Sequence, residues 1–237
     1  MNSLIGLWPP ILEFGQQYGL PAGKKRAILR EYLQTKILGL IYRQKISRQL
    51  FFTGGTALRL LYNLDRFSED LDFDLGEINS AQVKKLLAQI AIQLKRENIS
   101  VKLYHNITSK RSYFELRFPD LLAALKLSPN TEEKLAVKLD FEKFWIGHQP
   151  TPVILERYGL LATVVTLPLD QILVQKLFAY PHRRQTLPRD LYDLVWLIAQ
   201  KARPDPLFLK KNHLSGQIIA QAQKKFAAEK NHFKTLK

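Results

Sequence analysis

The residues best suited to chemistry in this chain are a glycine pair and a run of alternating aspartates. They form the strings Gly54-Gly55-Thr56 and Asp70-Leu71-Asp72-Phe73-Asp74. Side chains two apart on a strand point the same way, about 6 to 7 Å apart, so Asp70 and Asp72 can share divalent ions. A glycine turn that opens a helix exposes backbone N–H groups to a phosphate. Together the motifs predict a triphosphate held at one end and chelated through metal at the other, which is the geometry of nucleotidyl transfer.

Either motif alone is more often structural, because a Gly-Gly pair is usually a turn and an Asp-x-Asp strand is usually a solvated face. The joint pattern is harder to explain that way. Asp70, Asp72 and Asp74 face the same side and repel one another unless cations compensate. Their position one helix after the glycine turn therefore favours the functional interpretation.

The elements around these motifs follow from hydrophobic periodicity. Residues 50–52 predict a short buried strand ending at the glycines, residues 57–62 a helix, and residues 70–75 a half-buried strand with an acidic face. Ahead of them, residues 24–48 predict an amphipathic helix whose outer side carries basic residues, namely Arg26, Arg30 and Lys36.

Further elements are predicted along the rest of the chain. They comprise a helix over 80–96, strands over 99–104, 113–118, 135–141 and 161–167, a break at 150–152, and helices opening at Pro168, Pro188 and about Ser215. This order predicts an α/β (α+β) fold. We expect a mixed sheet flanked by helices over 1–167, including N-terminal helices, and a helical C-terminal domain over 168–237.

Composition and charge indicate which partners, metals and cellular location to expect. The net charge is +15, and residues 24–48 and 201–237 each carry a net +7, while the middle is nearly neutral. Clustered Lys and Arg gain affinity for polyanions by releasing counterions, so nucleic acid is the expected partner. The chain has no cysteine, so any metal must be held by oxygen or histidine ligands, which favours Mg²⁺ or Mn²⁺. With no apolar run long enough to span a membrane and no signal-peptide pattern, a cytoplasmic location is expected.

The motifs also carry a family resemblance. The string Phe52-Thr53-Gly54-Gly55-Thr56-Ala57-Leu58, followed by Arg66-x-Ser68-x-Asp70-Leu71-Asp72-Phe73, resembles the AbiEii/AbiGii-type toxin nucleotidyltransferases of bacterial type IV toxin–antitoxin systems, within the DNA polymerase beta superfamily. Later segments are similar to that family's third and fourth motifs: Lys176-Leu177-x-Ala179, Arg183 or Arg184, and Pro188-Arg189-Asp190-Leu191-Tyr192-Asp193-Leu194. The resemblance covers roughly residues 50 to 200 and implies a polymerase beta-like fold.

The resemblance implies roles for individual residues in a metal and nucleotide site. Asp70 and Asp72 would be catalytic and hold the metal, and a third acid on a neighbouring strand would complete the site. Asp140 is the candidate, because it lies on the polar side of an alternating strand, and Asp74 is its rival. The nucleoside triphosphate would be bound by Gly54, Gly55, Thr56, Arg66, Ser68 and Lys176.

Lys176 follows Ile172 and Leu173 on a predicted helix, so its ammonium must reach solvent or meet an anion. The resemblance implies that it binds the nucleotide phosphates and that Asp190 is its essential acidic partner. Asp193 would instead orient one of the nearby arginines. Asp140 or Asp190 could accept the proton of the attacking hydroxyl.

The acceptor is implied by the resemblance alone. Related toxins transfer a nucleoside monophosphate to the 3′ end of tRNA, which blocks translation and growth, and a cognate antitoxin is expected. Two alternatives stay open: a transferase that modifies a small molecule or a protein side chain, and a non-catalytic RNA-binding module. Phe178, Tyr180 and His182 could stack on a base or belong to the core, and His182 is also a weak candidate metal ligand.

Overall fold

The computed structural model describes residues 3–108, 111–214 and 216–234, which belong to two compact units. The first unit is formed by Met1–Phe144 and Pro152–Thr166, and the second by Trp145–Thr151 and Leu167–Lys237. Among the described residues, no helix combines the length and the apolar character that crossing a membrane requires.

The first unit contains a seven-stranded mixed sheet and helices. Its strands are β1 Leu50–Thr53, β2 Asp70–Leu75, β3 Lys102–Ile107, β4 Arg111–Phe118, β5 Leu135–Glu142, β6 Thr151–Arg157 and β7 Leu160–Thr166. Their order across the sheet is β3-β4-β5-β2-β1-β7-β6. Strand β2 is parallel to β5 and antiparallel to β1, and β1 is parallel to β7. The predicted mixed sheet is therefore confirmed.

The alternation of β2 decides which face of the sheet is buried. Phe73 is 1% exposed and stacks on Phe141 of β5 with ring centres 4.8 Å apart. Phe52 of β1 and Phe114 of β4 extend this cluster on either side. Because side chains alternate along a strand, burial of these aromatic rings places the aspartates of β2 on the opposite face. The hydrophobic core thus fixes the direction in which the acids point.

The helices of the first unit are α1 Leu4–Gln17, α2 Lys25–Tyr42, α3 Gly54–Tyr62, α4 Ser80–Arg96 and the short α5 Leu121–Ala124. Helix α4 has the predicted bounds and begins with a capping box, in which Asn79 and Gln82 each accept a hydrogen bond from the other's backbone N–H.

Helix α2 corrects the expectation of an amphipathic helix with a basic outer side. It ends at Tyr42, a 3₁₀ turn follows over Lys45–Gln49, and eleven of its residues are buried. Its three predicted outer cations are ion-paired: Arg26 with Glu133, Arg30 with Glu69, and Lys36 with Glu97. The acidic partners lie far away in sequence, so a local charge count overstated the free positive charge of this segment.

The break predicted at 150–152 contains the boundary between the two units, which lies between Thr151 and Pro152, but it is not a loop, because β6 begins there at Thr151. Pro152 is tolerated since β6 is the last strand in the sheet order, where a missing ladder donor costs least. Strand β3 begins at Lys102 rather than residue 99, so its predicted bounds were three residues early.

The second unit is helical. Its helices are α6 Leu169–His182, α7 Pro188–Ala199, α8 Pro206–Lys211 and α9 Gln217–Lys234. Pro168 precedes α6 and Pro188 opens α7, as predicted. The predicted start of the last helix, Ser215, lies outside the described residues.

Candidate active site

The turn between β1 and α3 brings the glycine pair against the aspartate strand. Gly54 has φ of +76°, a left-handed conformation that favours glycine. A Cβ placed on it would lie 2.1 Å from the Asp72 Oδ2 atom, closer than any real contact. Position 54 therefore requires glycine for two reasons: the backbone angle and the close approach of the Asp72 carboxylate. Gly54 and Asp72, eighteen residues apart in the sequence, thus belong to one structural site.

Gly55 is enclosed by the two polar residues of the segment before β2. A Cβ at Gly55 would lie 2.4 Å from an Arg66 guanidinium nitrogen and 3.0 Å from the Ser68 hydroxyl oxygen. The predicted nucleotide ligands Gly54, Gly55, Arg66 and Ser68 therefore lie together at the N-terminus of α3. Unpaired N–H groups and the positive end of the helix dipole make such a terminus attractive to phosphate.

Thr56 is the exception among these predicted ligands. It is 1% exposed, and its hydroxyl donates to the Asp70 carbonyl oxygen at 2.5 Å. Because a hydroxyl has one hydrogen to donate, the prediction that this hydroxyl donates to a phosphate is wrong. Thr56 instead ties the first turn of α3 to the first residue of β2.

Helix α2 also holds the segment that leads into the acidic strand β2. Gln34 of α2 is 1% exposed, and its amide donates to the carbonyl oxygens of Ser68 at 3.2 Å and Glu69 at 2.8 Å. Sequence reasoning missed Gln34. The only available signal was a polar residue on the apolar stripe of a helix.

The acids occupy adjacent positions on two parallel strands. Asp72 of β2 is in register with Asp140 of β5, so the two side chains start from neighbouring positions on one face. Asp74 is also on this face but is 4% exposed and in register with Glu142. Burial makes Asp74 less accessible to a ligand than half-buried Asp70, Asp72 and Asp140, which agrees with its expected peripheral role.

The Asp70 carboxylate has an unused acceptor. Its Oδ1 atom is buried and accepts no hydrogen bond. An unpaired buried carboxylate oxygen is costly unless a cation or donor arrives. Among the described residues, no three His, Asp or Glu side chains converge as a preformed metal cage.

Strand β4 adds a residue that sequence analysis did not single out. Tyr113 is in register with Asp140, and its hydroxyl donates to Glu115. Burial, followed by the carboxylates of Glu115, Asp140 and Asp70, raises the pKa of Tyr113 well above its ordinary value. The phenol thus stays protonated beside the acids. Its signal in the sequence was the alternation of β4 together with that of β5.

In the second unit, the acidic partner of Lys176 differs from the one expected. Its ammonium lies 2.8 Å from an oxygen of Asp193, whose side chain is 1% exposed. Asp190 instead lies 3.4 Å from the Arg183 guanidinium and accepts a hydrogen bond from the backbone N–H of Leu187. The expected pairing of Lys176 with Asp190, and of Asp193 with an arginine, is therefore reversed. Asp190 is in the first turn of α7, where it caps the helix, and Asp193 lies one turn further on.

The aromatic candidates belong to the packing of this unit. Tyr180 is 2% exposed and its hydroxyl donates to Glu229 at 3.3 Å, so it does not stack on a base. Phe178 stacks on His182 with ring centres 4.5 Å apart and contacts Trp145 edge-on. The His182 Nδ1 atom lies 2.7 Å from the Phe178 carbonyl oxygen, and among the described residues His182 belongs to no group of three His, Asp or Glu side chains that could hold a metal ion.

A known protein family matches most of this chain. Residues 37–233 match the family model described as the nucleotidyl transferase AbiEii toxin of type IV toxin–antitoxin systems. No match was found among curated proteins.

Solved structures share the fold. MenT4, a nucleotidyltransferase toxin from Mycobacterium tuberculosis, matches with a TM-score of 0.56 and 21% identity, covering 85% of this chain and 68% of its own. JHP933 from Helicobacter pylori matches with a TM-score of 0.52 and 20% identity, over 87% and 76% of the two chains. An antigenic nucleotidyltransferase-like protein from Paracoccidioides brasiliensis has a TM-score of 0.51 and 13% identity, over 83% and 88%. At these identities the likeness shows the fold alone.

Proposed function

The chain belongs to the AbiEii family of toxin nucleotidyltransferases, and from that premise we propose that it transfers a nucleoside monophosphate to the 3′ end of an RNA, with tRNA as the acceptor. Extension of that end blocks aminoacylation, and through it translation and growth. The observation that carries the proposal is the fit of Gly54 against Asp72, which unites a phosphate-binding turn with a metal-binding strand.

The metal implied by this chemistry fits the residues present. Asp70 offers a buried oxygen without a partner, and Asp72 lies against the glycine turn, so the two would hold Mg²⁺ or Mn²⁺. Asp140, in register with Asp72 on the neighbouring strand, is the proposed third carboxylate and would join the pair when the metal binds. Bound there, the ion supplies charge neutralisation and orientation of the triphosphate oxygens.

The chain's own residues then divide the remaining work. The backbone N–H groups at Gly54 and Gly55, with Arg66 and Ser68, bind the β- and γ-phosphates. The 3′-hydroxyl oxygen forms a bond to the α-phosphorus, the bond between the α-phosphorus and the bridging oxygen breaks, and pyrophosphate leaves. Asp140 accepts the hydroxyl proton, since it stands beside Asp72 on the neighbouring strand.

We assign to Lys176 the role of a cation that binds phosphate. Asp193 holds the Lys176 ammonium in place. The pair is 2.8 Å apart and the carboxylate is buried, so the ammonium has a fixed position rather than a mobile one. Asp190 serves as a positioning residue for α7 and Arg183, not as the partner of Lys176.

An RNA acceptor is supported by the overall charge of +15. Type IV toxin–antitoxin membership supports a cognate antitoxin as a further partner. Phosphate contacts provide affinity without sequence information, so the choice of tRNA rests on family membership and not on the charge.

The test is an incorporation assay on purified protein. Each α-³²P-labelled nucleoside triphosphate is incubated with Mg²⁺ and a mixture of total RNA, cell protein and metabolites, and the three fractions are separated. We expect label in RNA of tRNA size, and at least about a hundredfold less with Asp72→Ala, because one metal ligand is lost. Label in protein or in small molecules, or undiminished labelling by a folded Asp72→Ala variant, would contradict the proposal.

A further inference from the structure

The polar face of the sheet does not end at the acids. Beyond β5 it continues across β4 to β3, on the side opposite to β1 and the glycine turn. Strand register sets two rows of side chains on this face. One row is Asp72, Asp140, Tyr113 and Asn106, and the other is Asp70, Lys138, Glu115 and Tyr104.

The outer part of this face combines aromatic and basic side chains. Tyr104 is 49% exposed, and the Arg117 guanidinium carbon lies 4.2 Å from the centre of its ring. Lys102, in register with Arg117, and Lys138 are both exposed. We call Tyr104, Lys102, Arg117 and Lys138 the tyrosine platform.

The acid of this region is already neutralised. Glu115 accepts hydrogen bonds from the Tyr113 hydroxyl and from the Arg117 guanidinium. The tyrosine platform therefore presents net positive charge and a half-exposed aromatic ring with the Arg117 guanidinium over one face. Basic grooves with aromatic side chains on which bases stack are the usual way in which proteins bind single-stranded nucleic acid without reading its sequence.

The stereochemistry of phosphoryl transfer indicates from which side of the acids the acceptor substrate approaches. The attacking and leaving oxygens must lie roughly in line on opposite sides of the α-phosphorus. If the β- and γ-phosphates lie at the glycine turn beside β1, the leaving group points toward β1. The acceptor hydroxyl must then arrive from the other side of the acids, over β5 and β4.

We propose that the tyrosine platform binds the single-stranded 3′ end of the acceptor RNA, with Tyr104 stacking on a base and Lys102 contacting the backbone phosphates. The inference rests on the proposed function and names where its acceptor lies. The terminal hydroxyl reaches Asp140, and Tyr113, in register with it, is a positioning residue between that carboxylate and the platform.

The dimensions are consistent with this assignment. Strands lie about 4.8 Å apart, so β3 is roughly 10 Å from β5 across the sheet. At roughly 3.4 Å or more per base step, that distance corresponds to a few nucleotides. Tyr104 therefore meets a base just upstream of the reacting nucleotide rather than the incoming triphosphate.

The test separates acceptor binding from nucleotide binding. For Tyr104→Ala we expect the KM for RNA to rise about tenfold, with kcat and the Kd for nucleoside triphosphate unchanged, because stacking on one base is lost. Tyr104→Phe keeps the ring and should match the wild type. The matched control is Ile107→Ala on the same strand, which removes a 41% exposed apolar side chain from the other face.

A second variant tests the charge without touching the ring. Lys102→Glu should raise the KM for RNA at low salt, and the difference from wild type should shrink as salt is added. If the wild type labels RNA and both Tyr104→Ala and Lys102→Glu keep the wild-type KM, the platform assignment is overturned while the proposed function stands. If the wild type labels protein or small molecules and leaves RNA unlabelled, both are overturned.

Discussion

At the scale of single residues, the proposed site depends on glycine at position 54 as well as on its charged side chains. Gly54 carries a left-handed backbone angle and leaves room for the Asp72 carboxylate, so in the proposed mechanism it couples phosphate binding to metal binding. An alanine there is strained and also displaces that carboxylate.

Gly54→Ala should lower nucleotidyl transfer by at least about a hundredfold, because a shift of 1 Å at a reacting centre costs that much. Gly19→Ala is the matched control, since Gly19 has φ of +77° but no heavy atom near its would-be Cβ. Both variants should lose about 1 kcal/mol of stability in urea unfolding from the backbone strain. Equal loss of activity in the two would show that strain, and not the contact with Asp72, explains the effect.

Sequence patterns predicted that the glycine turn and the acids lie together, and the structure places Gly54 against Asp72, but they mispaired the supporting residues. The pairing of Lys176 with Asp193 instead of Asp190 depends on how α6 packs against α7, which local spacing does not determine. Thr56 was misassigned for a similar reason, because its partner is a backbone oxygen on another element. The type of a side chain predicts which interactions it can make, whereas tertiary packing decides which residue it makes them with.

At the scale of elements, α3 is anchored at both ends. Its N-terminus forms the glycine turn, and its C-terminal carbonyl oxygens of Arg59 and Leu60 accept hydrogen bonds from Arg157 of β6. Buried Glu31 of α2 pairs with Arg59 at 2.7 Å and lies 3.6 Å from Arg157. Two guanidinium groups thus depend on one buried carboxylate, and burial lowers the pKa of Arg157.

Glu31→Gln should destabilise the protein by about 3 kcal/mol or more, because it removes the buried carboxylate that two buried guanidinium groups share and leaves Arg59 with the exposed Asp65 at 4.0 Å. Glu69→Gln, which removes the more exposed partner of Arg30, should cost less than about 1 kcal/mol. The measurement is urea unfolding of both variants beside the wild type. Similar small losses would mean that solvent or nearby tyrosines compensate the buried arginines.

The elements that sequence analysis placed best are those with an unbroken pattern. Strand β2 alternates at every residue and α4 has both a cap and an apolar stripe, so their bounds were predicted to the residue. Strand β6 and helix α8 were missed since prolines near their starts resemble breaks. Helix α2 was found, but its burial on most sides was not, because its basic residues are paired with distant acids.

At the scale of the whole molecule, the positive charge is distributed differently from its distribution along the chain. The first basic segment, residues 24–48, is partly neutralised by ion pairs, while the tyrosine platform draws its cations from β3, β4 and β5, a stretch that is nearly neutral in sequence. The proposed nucleic-acid contact therefore lies away from residues 24–48 and closer to Asp70, Asp72 and Asp140.

The central claim is that this positively charged transferase adds nucleotides to a free RNA 3′ end. The most direct test is the intact mass of a synthetic RNA with a single-stranded 3′ end after incubation with protein, nucleoside triphosphates and Mg²⁺. We predict a gain of one or more whole nucleoside monophosphate units, no gain with periodate-oxidised RNA, and no gain with Asp72→Ala. An unchanged mass for the intact RNA, or an equal gain on the oxidised RNA, would contradict the account.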